Sequence, residues 1–273
     1  MKIAAVQMLS TPRVEDNLAK ARALIAQAAA AGAELVALPE YFCLMGRRET
    51  DKLDIAELPG AGPIQRMLAD TAREQRVWLA GGTLPMRIEG RSDRVSNTQL
   101  VFAPDGSVAA RYDKIHLFRF DDGERRHDET ATLVAGSEPV AITLTDRSGR
   151  DWRVGLSICY DLRFPELYRA LMPPPCDLLL VPAAFTYPTG EAHWELLLRA
   201  RAVENQCMVL APAQGGRHEN GRRTWGHAMA VGPWGEVLAV RDEEGAGVVL
   251  AELDAQRLAE VRTALPALEH RVL

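Results

Sequence analysis

A chain of 273 residues, 47% hydrophobic and 25% charged, can bury a substantial core without disulfides or a structural metal. Its 32 basic and 37 acidic side chains leave a net charge of −5, which excludes the clustered positive surplus of a nucleic-acid footprint. The apolar content excludes disorder, and 21 Gly and 16 Pro without a period exclude collagen-like or low-complexity chains.

Strand-like and helix-like segments alternate along the sequence. Lys2–Met8 reads as a strand, because its apolar run is interrupted by Gln7 and is too short for an export signal. No apolar run of about 18 residues offers a membrane span. Cys43, Cys159, Cys176 and Cys207 are then expected as free thiols in a cytoplasmic protein. Residues 14–31 carry Leu18, Ile25 and Ala28 at helical spacing, with Gly32 where a C-terminal cap belongs. Leu35–Leu38 is a short buried strand that delivers Pro39 and Glu40. A helix is predicted from Pro63 to Gln75 and a strand over Val77–Leu84.

Asn97–Ala103 and Val108–Asp113, joined by Pro104-Asp105-Gly106, read as a hairpin. Residues 115–137 are polar and irregular, too long for a plain connection, and include the Phe120–His127 stretch as a candidate functional loop. Further strands are predicted over Val140–Leu144, Trp152–Ile158, Leu178–Val181, Met208–Leu210, Ala228–Val231, Val237–Val240 and Val248–Leu253. Helices fit Pro165–Met172, Ala192–Asn205 and Ala255–Arg262. With no linker, charge block or repeat, residues 1–273 are expected to form one α/β domain: two mixed sheets packed as a sandwich with helices outside.

Three residues sit where strands end. Cys159 closes the apolar run Val154–Ile158 and precedes a helix start at Pro165, a turn that can expose a nucleophile above a sheet. Backbone N–H groups after it would stabilise an oxyanion, although a small buried core thiol also fits the position. Glu40 and Lys114 end strands too, as a base and a cation or as solvated surface charges. His218 and His227 have no accompanying spacing of a metal site, and Gly60-Ala61-Gly62 runs into Pro63 rather than a phosphate-binding loop. No metal or cofactor is expected.

Taken together, Pro39-Glu40, Tyr112-Asp113-Lys114-Ile115-His116-Leu117-Phe118 and Cys159-Tyr160-Asp161-Leu162-Arg163-Phe164-Pro165-Glu166 resemble, in order, the Glu-Lys-Cys signature of the nitrilase superfamily of carbon–nitrogen hydrolases. Supporting stretches are Gly81-Gly82, Pro182–Thr186, His193–Asn205 and Gly232-Pro233-Trp234-Gly235, so the resemblance spans nearly the whole chain. It implies a four-layer α-β-β-α sandwich. It also implies Glu40 as general base, Lys114 as the cation facing the oxyanion, Cys159 as nucleophile and the Tyr160 N–H as a second oxyanion donor. Glu129, with Leu133 and Gly136 behind it, matches the second glutamate that holds the lysine and the substrate.

Within the superfamily, Gly190–Trp194, Ala211-Pro212-Ala213-Gln214 and the Phe120–His127 loop look like the Nit-type amidases, closest to those acting on deaminated glutathione. Omega-amidase, nitrilase and N-carbamoyl hydrolase activities are the alternatives, with a non-catalytic binding protein behind them. A small anionic amide implies a cation, for which Arg163 is the candidate, and Tyr41, Phe42, Phe164, Phe185 and Thr186 are candidates to line the pocket. Arg199, Arg201 and Glu204 are read as structural. The superfamily's habit of pairing through helices such as 165–172 and 192–205 implies a homodimer or higher homo-oligomer.

Overall fold

The computed structural model describes residues 1–121 and 126–272. In chain order it contains β1 (Lys2–Met8), α1 (Val14–Ala30), β2 (Leu35–Ala37), a single turn α2 (Asp51–Asp54) and α3 (Pro63–Gln75). There follow β3 (Trp78–Ala80), β4 (Leu84–Arg87), β5 (Val95–Phe102), β6 (Val108–Asp113), β7 (Arg119–Asp121) and β8 (Arg126–Asp128). The next elements are β9 (Ala141–Thr145), β10 (Asp151–Leu156), α4 (Pro165–Ala170), β11 (Leu178–Leu180) and α5 (Tyr187–Asn205). The chain continues with β12 (Met208–Ala211), β13 (Ala213–Arg217), β14 (Arg223–Trp225), β15 (Met229–Val231), β16 (Val237–Val240), β17 (Gly247–Glu252) and α6 (Ala255–Ala264).

Two mixed sheets face each other. The first runs β14-β13-β1-β2-β3-β5-β4, with β17 also on β1 and β6 on β5; the second runs β16-β15-β12-β11-β10-β9. Period-two alternation assigns the layers. From β1, Ile3 and Ala5 join the cluster that holds Val154 and Leu156 of β10, whereas Ala4, Val6 and Met8 join the one holding Ala21, Ile25 and Ala28 of α1 and Leu68 of α3. Strands β1 and β2 are thus covered on both faces, which is why they read as continuous apolar runs. Leu167 and Tyr168 of α4 and Trp194, Leu198 and Ala202 of α5 cover the second sheet. The result is the expected four-layer α-β-β-α sandwich.

The structure differs from expectation in a few places. The predicted strand 77–84 is split into β3 and β4, because Gly82 adopts φ +59 with Pro39 O only 2.3 Å from where its Cβ would lie. The helix expected from Ala192 starts at Tyr187, with Pro188 in its first turn. Hairpin β13–β14 has no alternating apolar signal, since its first strand reads Ala-Gln-Gly-Gly-Arg. Of the Phe120–His127 loop, residues 120–121 and 126–127 belong to the β7–β8 pair, and 122–125 lie outside the described residues. Among the described residues no helix is long and apolar enough to cross a membrane.

Candidate active site

Both sheets contribute to one site. Strand β2 is parallel to β1 and β3 and hands Glu40 to the rim of the first sheet, and β6 ends at Asp113 and hands Lys114 to the same rim. Strand β10, parallel to β11 in the second sheet, leads into a 3-10 turn over Cys159–Arg163. Cys159 opens that turn at φ +47, held by its N–H on Pro182 O at 2.9 Å.

Lys114 is the hub. Its ammonium donates to Glu40 Oε1 at 2.8 Å and to Glu129 Oε1 and Oε2 at 3.1 and 2.9 Å. Glu40 Oε1 also accepts from Asn97 Nδ2 at 3.0 Å, and Oε2 from the Ala184 N–H at 3.1 Å. Glu129 additionally accepts from the Tyr41 hydroxyl at 2.6 Å and the Phe118 N–H at 2.7 Å. The three charged side chains are buried, as is Cys159. Asp161, fully buried, ties the two sheets together here. It accepts from Tyr112 Oη at 2.7 Å, the His116 N–H at 2.9 Å and the Ile158 N–H at 2.8 Å, and pairs with the His116 ring at 2.8 Å. The residues flanking Lys114 are thereby fixed to the turn that carries the thiol.

Burial disfavours every charge in this cluster, and the partners decide which survive. Burial pushes the Glu40 carboxyl up and Glu129 pushes the same way, with Lys114 opposing. Burial would also raise Glu129, but Lys114, the Tyr41 hydroxyl and the Phe118 N–H outweigh it and hold that carboxyl below its usual range. Lys114 loses hydration, yet Glu129 and Glu40 keep its ammonium well above an ordinary lysine. Burial first, and the Glu40 charge next, hold the Cys159 thiol well above its usual value. At neutral pH the thiol is therefore protonated, beside a carboxyl of raised proton affinity.

These groups face a cavity of about 730 Å³. Glu40, Lys114, Glu129 and Cys159 all line it, together with Tyr41, Tyr160, Arg163, Phe185 and Thr186 from the sequence-derived set. Two members of that set do not. Phe42 is fully buried in the core with the α1 and α3 side chains, and Phe164 stacks on His116 at 3.7 Å between ring centres. Arg163 lies over the Phe185 ring, 5.6 Å from its centroid, with its guanidinium 3.3 Å from His193 Nδ1. Arg201 donates twice to Leu162 O and is buried within this chain, bracing the nucleophile turn from behind. His218 bonds Ser10 O and Thr224 Oγ1, while His227 stacks on Trp225.

Asn97, Asp161 and the Ala184 amide are contacts that sequence reading did not single out. The signal for Asn97 is present: Ser96-Asn97-Thr98-Gln99 is a run of four polar residues inside a strand buried along its length. Arg217, Arg222 and Arg223, all from the β13–β14 region, also line the cavity and carry no motif.

Residues 2–263 match the family model described as carbon-nitrogen hydrolase. The deaminated glutathione amidase of Synechocystis sp. is 45% identical over 98% of this chain and 97% of its own length. The crystal structure of the Caenorhabditis elegans NitFhit protein superposes with a TM-score of 0.89 at 37% identity, covering 99% of this chain; this chain spans only 65% of that longer one. An amidase from Nesterenkonia sp. AN1, seen after Michael addition of acrylamide at its active site cysteine, gives a TM-score of 0.79 at 26% identity over 97% of this chain and 98% of that one.

Proposed function

Since the chain belongs to the carbon–nitrogen hydrolase family, we propose that it hydrolyses the side-chain amide of an α-keto dicarboxylic acid, as in deaminated glutathione, through a thioester on Cys159. The observation that carries this reading is the convergence of one thiol, one ammonium and two carboxylates on one cavity. The reaction follows from their protonation states. Glu40 takes the Cys159 proton as Sγ attacks the amide carbon and the C–S bond forms. The oxyanion meets the Lys114 ammonium and the Tyr160 N–H. The C–N bond then breaks and Glu40 returns the proton to the departing amine. Glu40 next takes a proton from water, whose oxygen attacks the thioester carbon. The C–S bond breaks, and the thiolate is reprotonated as the acid leaves. Glu129 holds Lys114 in place throughout.

Arg163, over the Phe185 ring and sharing the cavity with Tyr41 and Thr186, is suited to hold the acyl-side carboxylate. We read residues 1–273 as one domain. Leu196 and Val203 on α5 and Trp234, Leu238 and Val240 around β16 are large exposed apolar side chains, and Val203 abuts the Gly235 turn. A patch of that kind supports a homodimer through α5. Four free, buried cysteines support a reducing, cytoplasmic setting. The test is hydrolysis by the purified protein of a panel comprising deaminated glutathione, α-ketoglutaramate, a nitrile and an N-carbamoyl amino acid. Release of α-ketoglutarate from the first, with a thioester of the corresponding mass on Cys159, is expected; turnover confined to the nitrile would overturn the amidase reading.

A further inference from the structure

The cavity has two ends of different character. Its buried end holds Glu40, Lys114, Glu129 and Cys159. Its exposed end is walled by the β13–β14 hairpin, and there the charge balance reverses. Outside the buried cluster, the described lining residues include four arginines, at 163, 217, 222 and 223, against two carboxylates, Glu49 and Asp128. Glu49 is itself shared between Arg222 at 2.8 Å and Lys52 at 3.0 Å.

Of the three arginines on the β13–β14 hairpin, Arg222 pairs with Glu49 and Arg223 with Glu244, which leaves Arg217. It stands directly opposite Arg223 in the antiparallel register, so the two side chains leave the same face of the hairpin. Such opposed residues lie about 5 Å apart at Cβ, and like charges there destabilise a strand pair. Arg223 is answered: it reaches Glu244 at 2.7 Å and lies over the Tyr187 ring at 3.7 Å. Arg217 is exposed and, among the described residues, has no ion-pair partner. Among the described residues, the hairpin therefore carries a positive charge that no carboxylate pairs, on the wall of the cavity that opens on the thiol.

We propose that Arg217 is an anion subsite that receives the carboxylate at the far end of the departing amine. Arg217 is thereby a specificity-determining residue that reads the charge at the far end of the leaving group. This rests on the amidase reading above and divides the labour between arginines. Arg163 belongs to the same turn as Cys159 and so addresses the acyl side, which stays on the enzyme as the thioester. Arg217 comes from a separate strand at the open end and addresses the side that leaves once the C–N bond breaks. An exposed subsite suits a group that must depart before water enters, because a screened ion pair releases its ligand readily.

The test uses two substrates that differ only at the far end, deaminated glutathione and its C-terminal glycinamide. The wild-type protein is expected to favour the free acid in kcat/KM by about two- to fivefold, the range of one exposed ion pair. In Arg217→Ala that ratio falls to about one, in Arg217→Lys part of it returns, and raising the salt concentration lowers it in the wild type. A binding measurement stands beside turnover: cysteinylglycine titrated into Cys159→Ala protein binds more tightly than cysteinylglycinamide, and adding Arg217→Ala removes the difference. An unchanged ratio in Arg217→Ala, or no discrimination by the wild type, overturns the subsite and leaves the amidase reading standing. No turnover of either substrate, with the Arg217-dependent binding difference intact, overturns the amidase reading and upholds the subsite.

Discussion

Replacing Glu129 by Gln keeps the shape of the side chain and removes one of two negative charges from the buried cluster. Every group facing the Glu129 oxygens is a donor: the Lys114 ammonium, the Tyr41 hydroxyl and the Phe118 N–H. A Gln amide must turn its NH2 toward at least one of them. The hydroxyl can rotate to accept, so the amide faces Tyr41 and Lys114 keeps one strong carboxylate partner, Glu40. Breaking a buried ion pair from one side costs about 3 to 5 kcal/mol, and the surviving amide oxygen argues for the lower figure. With an unfolding entropy near 2.1 cal/mol/K per residue, the whole chain has ~0.6 kcal/mol/K, so about 3 kcal/mol lowers Tm by roughly 5 °C. Turnover falls by about 10² to 10³, the usual cost of a misplaced oxyanion donor. The acid limb of kcat/KM moves to lower pH, since the Glu129 charge helps hold the Glu40 carboxyl up and is now gone. Scanning calorimetry and a pH–rate profile on deaminated glutathione measure all three. A Tm within a degree of wild type, or an acid limb that stays put or moves up, would refute the electrostatic argument.

Four shorter predictions accompany it. Cys159→Ala and Cys159→Ser both lose nearly all turnover yet keep the wild-type circular dichroism spectrum, because a carboxylate matched to a thiol deprotonates a hydroxyl poorly; residual activity above a few per cent in either contradicts the mechanism. Iodoacetamide labels Cys159 alone in the native protein: all four thiols are raised by burial, but only Cys159 lines the cavity, beside a carboxyl able to take its proton, whereas Cys43, Cys176 and Cys207 are closed off in the core, a pattern read directly by peptide mass spectrometry. The Glu129 carboxyl titrates below its unfolded value, so the stability it adds is full above about pH 4.3 and is lost as pH falls through the lowered folded value. Thermal melts of wild type and Glu129→Gln should therefore converge on acidification, and parallel curves would contradict this. Light scattering at micromolar protein is expected to give a dimer for the wild type and a monomer for Trp234→Glu paired with Leu196→Glu; a monomeric wild type, or an unchanged mass in the variant, overturns that interface.

Much of this architecture is legible in the sequence because both faces of the central strands are covered. Apolar runs such as Leu35-Val36-Ala37 and Leu178-Leu179-Leu180 then announce strands without needing alternation. Glu40 and Cys159 are legible for a related reason, each being a reactive side chain just past such a run, whereas Lys114 follows the largely exposed strand β6 and stands out only as part of the ordered Glu-Lys-Cys pattern. What local pattern cannot carry is partnership between distant segments. Asp161 joins Tyr112 and His116 from one sheet to Ile158 from the other, across 45 or more residues for the first two. Phe42 and Phe164 fail as pocket residues because an aromatic next to a functional residue points wherever its own backbone sends it. Tyr41 takes φ +54 and turns its hydroxyl to Glu129, and its neighbour Phe42 is sent into the core. Arg217 has no motif at all; its charge acquires meaning only once the hairpin sets it opposite Arg223.

The backbone at Cys159 has a consequence for how this activity can be kept or lost. At φ +47 a residue with a Cβ sits in a conformation costing on the order of 1 kcal/mol, which glycine escapes. Glycine gives back a similar amount through the extra freedom of the unfolded chain. Folding free energy is therefore nearly indifferent to whether cysteine or glycine stands at this position. A laboratory selection for solubility or heat resistance alone would let position 159 drift, producing well-folded proteins without turnover, whereas drift at Asp161 would be caught by instability. Any programme of stabilisation guided by melting temperature has to hold Cys159 fixed by hand.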